Sequence, residues 1–188
     1  MRMERRHLTI REISLYAMLG AVMFASKKLM EMIPNVHLLA LFIVTFTVVY
    51  RKKALYPIYI YVLMDGIFGG FSLWWYPYLY IWTVLFFMTM LLPKRMPQGA
   101  AVPVYALTAG LHGLMFGTLY APYHALVFGL NFKGLLAWIA AGFPYDCIHA
   151  VSNFCFGLFV VPLSAAMRQL NRIIFPDITG YRNEPRNE

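Results

Sequence analysis

Three polar residues stand in an otherwise apolar stretch, Asp146, His149 and Asn153, spaced three and four apart. On a helix that spacing sets a carboxylate, an imidazole and a carboxamide along one stripe. Such a stripe can hold a polar heterocycle through several directed hydrogen bonds. Alternatively, its members can bond to one another or to a neighbouring helix. Asp65 is a further ionisable residue well inside an apolar segment, with no basic residue beside it in sequence. Ionisable groups in such surroundings are costly to keep and by default mark function. The run Trp74-Trp75-Tyr76-Pro77-Tyr78, followed by Tyr80 and Trp82, offers flat walls for a planar ligand. Interfacial aromatic belts account for part of it, so one or two rings among Trp74, Trp75, Tyr78 and Trp82 are expected at a ligand.

Other polar residues carry weaker signals. His112, among Gly110, Gly113 and Gly117, suits an interhelical hydrogen bond better than proton carriage. His37, His124 and Asn131 fall in loops, and Lys27, Lys28 and Glu31 read as a solvated helix end. No GxSxG, HExxH or Walker lysine motif is present, so no catalytic residue and no metal site is expected. Cys147 and His149 are two apart and point to different helix faces, so they do not form a nucleophile–base pair.

The elements that must position these groups follow from composition. The chain has 188 residues, 61% hydrophobic and 13% charged, against about 45–50% and roughly 25% in soluble domains. A soluble fold of this size could not hide so much apolar surface. Six apolar segments are expected as helices over 11–33, 36–50, 54–72, 74–92, 101–128 and 135–165, forming one transmembrane domain over 1–188 with a polar tail at 176–188. Asp146 and His149 are placed near the opening of the sixth segment. Segment length and the lack of strict alternation argue against a barrel. Cys147 and Cys155, about 12 Å apart along a helix, are expected as core thiols beyond disulfide reach. No cleavable signal peptide is evident.

Basic residues alternate in density along the chain. Thirteen of the sixteen fall at the two ends and in the Arg51-Lys52-Lys53 and Lys94-Arg95 connections, while Lys27, Lys28 and Lys133 fall on the other side. The positive-inside rule puts both termini in the cytoplasm and turns the hairpins Met30–His37, Gly69–Pro77 and Pro122–Leu135 outward. Clustering of this kind is an orientation signal, not a nucleic-acid footprint. In the first segment Ala17, Ala21 and Ala25, with Gly20, set small side chains on one face, where another helix can approach closely.

The segment Gly142-Phe143-Pro144-Tyr145-Asp146-Cys147-Ile148-His149-Ala150-Val151-Ser152-Asn153, together with Ala17-x-x-x-Ala21-x-x-x-Ala25, resembles the substrate-binding S component of energy-coupling factor (ECF) vitamin transporters. The hydrophobic layout extends the likeness over nearly the whole chain. The resemblance implies a bacterial plasma-membrane protein of six spans that captures a vitamin-like micronutrient outside. It also implies docking through helix one on a transmembrane coupling subunit (the T component) with two ATPases, so that ATP is used by the partners and no cofactor is bound by this chain. Ala17, Ala21 and Ala25 would then dock the partner. Asp146, His149 and Asn153 would line the ligand site with Asp65 and aromatic residues between Trp74 and Trp82. The aromatic and Asp/His/Asn set suits a neutral or cationic planar heterocycle, and the absence of outer-side arginine argues against a strongly anionic one. Two other classes stay open: a membrane enzyme using Asp65, Asp146 and His149 or His112 as acid–base groups, and a packing or assembly scaffold.

Overall fold

The computed structural model describes residues 8–174. The predicted polar tail at 176–188 and the basic residues Arg2, Arg5 and Arg6 lie outside the described residues.

The first helix, α1 (Ile10–Leu29), begins at Thr9 because that residue closes a reciprocal capping box with Glu12. It is followed by α2 (Leu39–Tyr50), a 3₁₀ turn (Arg51–Ala54), α3 (Leu55–Gly69), α4 (Tyr78–Leu91), α5 (Gln98–Leu114), α6 (Phe116–Phe128), α7 (Phe132–Gly157) and α8 (Val160–Ile174). The described residues are thus all-helical, in the six expected segments. The last two segments each break once, at Met115 and after Gly157, giving eight helices in place of six. The sixth segment therefore does not run unbroken over 135–165. Its second half, α8, is amphipathic, with Ser164 and Asn171 inward and Leu170, Ile173 and Ile174 at the surface.

Two boundaries shift the placement of the site. Pro122, expected in an outward hairpin, lies inside α6, and the turn into α7 narrows to Gly129–Asn131. Gly129 takes the left-handed conformation that ends α6, and the Asn131 side chain accepts from Gly134 N to start α7. Asp146 and His149 consequently sit in the middle of a 26-residue helix and not at its opening.

The core is built around α2, whose residues from Leu39 to Thr47 are buried apart from half-buried Phe42. Packing is most extensive between α5 and α7, then between α1 and α3. Glycines set both contacts. A Cβ at Gly20 would run into Ile60 and the Pro57 carbonyl of α3. One at Gly113 would lie 2.8 Å from the His149 carbonyl oxygen, and one at Gly157 2.6 Å from the Ala106 Cα. Close approach of backbones through small residues is the packing style of helices in lipid.

Two helical runs, Gln98–Phe128 and Phe132–Gly157, are long and apolar enough to cross a membrane. The helices α2, α3 and α4, at 12, 15 and 14 residues, fall short of the about 20 residues of a typical span. In α7 only 11% of the most apolar window is buried, which a soluble protein's core helix would reverse.

Candidate functional site

The buried positions of α7 are Asp146, His149, Asn153 and Gly157, while Phe143, Tyr145, Ile148 and Val151 face outward. Its polar stripe points into the bundle and its apolar side points out. The spacing predicted a shared face, and the structure turns that face onto α5 and α6.

The three polar residues do different things there. Asp146 Oδ1 accepts from Gly117 N at 3.0 Å. Gly117 is the second residue of α6, where backbone N–H groups have no partner within the helix and favour a negative charge. The break at Met115 creates that helix start, and a Cβ on Gly117 would collide with the Asp146 carboxylate. Asp146 thus caps a neighbouring helix. His149 and Asn153 are 1% and 0% exposed, yet neither ring nitrogen of His149 and neither end of the Asn153 amide meets a hydrogen-bond partner among the described residues.

Around them stands a cluster centred on Trp82. Its ring contacts His37 (5.8 Å between centroids), Tyr61 (6.2 Å), Tyr78 (5.5 Å), His112 (5.9 Å) and Phe116 (5.5 Å). His149 closes the ring through His37 at 4.7 Å and Phe116 at 4.8 Å. Asn153 lies one turn further along α7, against Gly113. Besides His149 and Asn153, the Trp82 indole N–H, the Tyr61 hydroxyl and Nδ1 of His37 and His112 are buried without a partner among the described residues. A native fold rarely leaves such groups unbonded, because each costs about 1–3 kcal/mol when buried and unsatisfied. Side chains bearing such groups, from the α1–α2 connection, α3, α4, α5 and α7, lie in or beside this one cluster.

No protein-family model, curated protein or solved structure matches this chain.

Beside the cluster lies an ion pair that the sequence conceals. Lys27 Nζ, on α1, donates to both carboxylate oxygens of Asp65 on α3, at 2.8 and 2.7 Å. The two side chains are 16% and 1% exposed. The same ammonium sits 5.2 Å from the Trp74 ring centroid and 5.3 Å from that of Tyr78, a cation–π arrangement on two faces. Lys27 is therefore not the solvated helix-end charge expected of it. That description fits Lys28 and Glu31, an exposed pair one turn apart. Asp65 gives its carboxylate to Lys27 and borders the cluster through Tyr78, which touches both the ammonium and Trp82, and through Tyr61, one turn before it on α3.

The aromatic run divides. Trp74 and Tyr78 cover the ion pair, Trp82 is the hub, and Trp75 stands apart, its indole N–H donating to the Val62 carbonyl at 2.8 Å. His112 donates to the Ile81 carbonyl through Nε2 at 3.0 Å, an interhelical contact, while its other nitrogen is buried and unbonded among the described residues. His124 stacks on Trp138. Tyr61 escaped the sequence argument, which named His37 only as a weaker loop candidate and Lys27 only as part of a solvated helix end. Tyr61 and Lys27 carried no signal beyond residue type, whereas His37 did, as a histidine in the connection between α1 and α2.

On α1, Ala17 and Ala25 are exposed and Ala21 is half-buried, whereas Gly20 is turned inward onto α3. The small-residue face is thus the alanines alone. Cys147 and Cys155 are free but are not core thiols, since they line a shallow apolar groove with Val36 and Val151 on the outer side of α7.

Proposed function

We propose that the protein is a membrane-embedded capture subunit that binds a small, planar, neutral heterocycle among His37, Trp82, His149 and Asn153. One observation carries this: side chains with buried, unbonded donors and acceptors, from several elements, are packed in and beside the aromatic cluster of Trp82. A ligand with hydrogen-bonding edges and a flat face satisfies them together. Asp65 is already paired with Lys27, and Asp146 is hydrogen-bonded to a helix start, so the cluster itself offers no free counter-charge to a charged ligand. The ion pair under Trp74 and Tyr78 forms the wall on the side of the α1–α2 and α3–α4 connections, which are the outward hairpins of a six-span topology with both termini in the cytoplasm. That topology is supported by the inverted polarity of α7 and by the distribution of basic residues. The shorter helices then require a locally thinned bilayer.

The likeness of the sixth segment and the alanine face to ECF S components supplies the transport reading. The chain delivers its ligand by docking Ala17, Ala21 and Ala25 on a coupling subunit driven by two ATPases. An acid–base enzyme finds less support, because His149 makes no hydrogen bond to Asp146 and the cluster lacks a paired acid and base. A scaffold is favoured only by the Asp146 and His112 contacts, which stitch helices.

Mass spectrometry of small molecules released from the purified protein tests the reading. The expected result is one planar heterocycle, unchanged after incubation, whose re-addition alters Trp fluorescence and raises Tm. Chemical turnover of the compound would establish an enzyme, and the absence of any stabilising small molecule would establish a scaffold. Docking has its own test. Ala21→Trp adds a large ring to the approach face, so uptake in cells should fall to background while ligand binding to the purified protein is unchanged. Normal uptake by that variant removes α1 from the docking role.

A further inference from the structure

At the opposite end of the molecule from the Trp82 cluster, a cleft of about 730 Å³ opens among α1, α2, the 3₁₀ turn, the end of α4 and α8. Six of its lining residues are basic: Arg51, Lys52, Lys53, Lys94, Arg168 and Arg172. Among the described residues the lining contains no carboxylate. Lys53 is paired with Glu12 just beyond it. Arg51 and Arg168 donate to the Met90 and Val48 carbonyls, at 3.3 and 3.4 Å. These acceptors carry no charge and leave both guanidinium charges whole. Lys52 and Lys94 make no hydrogen bond or ion pair with the described residues. The rest of the wall is apolar or aromatic, including Val48, Val49, Met90 and Tyr16.

Membrane orientation accounts for basic residues at this end, but not for their convergence on one concavity from three elements distant in the chain. Like charges so gathered repel, and the backbone adds strain. Arg51 adopts φ 53 and ψ −127, a conformation that side-chain-bearing residues avoid. Glycine would make this turn freely, and an arginine occupies it instead. Guanidinium and ammonium groups in a fixed cradle match phosphate oxygens, and basic pockets between helices on the cytoplasmic side bind anionic headgroups.

We propose that this cleft binds a phosphate group, with an anionic phospholipid headgroup as the source that its apolar half favours. The cations hold the phosphate while Val48, Val49 and Met90 lie along the glycerol and upper acyl chain. Such a lipid would tie α2, α4 and α8 together at the cytoplasmic surface, and its binding does not depend on what the Trp82 cluster holds.

The full chain, purified in detergent, is delipidated and offered phosphatidylglycerol, phosphatidylcholine or inorganic pyrophosphate, with retention measured by native mass spectrometry and stability by thermal unfolding. Phosphatidylglycerol should be retained and should raise Tm, while phosphatidylcholine should do neither. Lys52→Gln with Lys94→Gln, both exposed and without a partner among the described residues, should weaken retention roughly thirtyfold, whereas the pair Lys28→Gln and Lys133→Gln at the other end should leave it unchanged. Pyrophosphate binding without lipid preference would uphold the phosphate site and assign it a soluble ligand. Equal retention of the two lipids with no pyrophosphate bound, or equal loss in both variant pairs, would overturn the proposal.

Discussion

Lys27→Met should destabilise the purified protein by about 3–5 kcal/mol, the range for removing one partner of a buried ion pair. The carboxylate left behind is the reason. Asp65 is 1% exposed on its side chain and takes both of its hydrogen bonds from Lys27. Without the ammonium it is a desolvated charge with no counter-ion, and Trp74 and Tyr78 lose the cation between their rings. A surface pair behaves differently, and Lys28→Met, which breaks the exposed contact to Glu31, should change stability by less than about 1 kcal/mol. The double variant Lys27→Met with Asp65→Leu should recover most of the loss, because well-packed apolar groups replace buried ion pairs at little or no cost. Unfolding of the three variants in one detergent, followed by circular dichroism, measures all of this. If Lys27→Met matched the parent, the pair would not hold α1 to α3.

Asn153→Leu should move stability and binding in opposite directions. Both ends of this amide are buried without a partner among the described residues, so an apolar side chain of similar size should stabilise the purified protein by about 1–3 kcal/mol. Ligand affinity should fall by roughly 100-fold, since a buried hydrogen-bonding group of the ligand would then face Leu in place of an amide. His149→Phe should behave alike, keeping the ring contacts to His37 and Phe116 while removing two nitrogens. If the polar stripe only stitched helices, both substitutions would lower stability. Asp146→Asn supplies the contrast. It weakens a cap on the α6 start, so it should reduce stability whether or not ligand is present.

The opposite expectations for residues of one stripe mark the limit of periodicity. Spacing in sequence settles which side chains share a helix face, because the 3.6-residue repeat belongs to the chain itself. Asp146, His149 and Asn153 were for this reason legible as a unit. What each one meets across the interface was not. Asp146 meets a helix start only because the fifth segment breaks at Met115, a break for which the sequence carries no proline or glycine signal at that residue. Asp65 looked unpaired because its partner lies 38 residues away, and Lys27 looked like a solvated end because it stands beside Lys28.

The six helical segments, the inverted polarity of α7 and the crowding of basic residues at one end were determined locally. They rest on composition, period and charge, and need no partner to exist. The ion pair of Lys27 with Asp65, the entry of His37 and Tyr61 into the Trp82 cluster, the removal of Trp75 from it and the gathering of six cations into one cleft were decided by tertiary structure. Each depends on which helices touch and at what rotation, and close packing at Gly20, Gly113 and Gly157 sets those contacts to within a side chain's width.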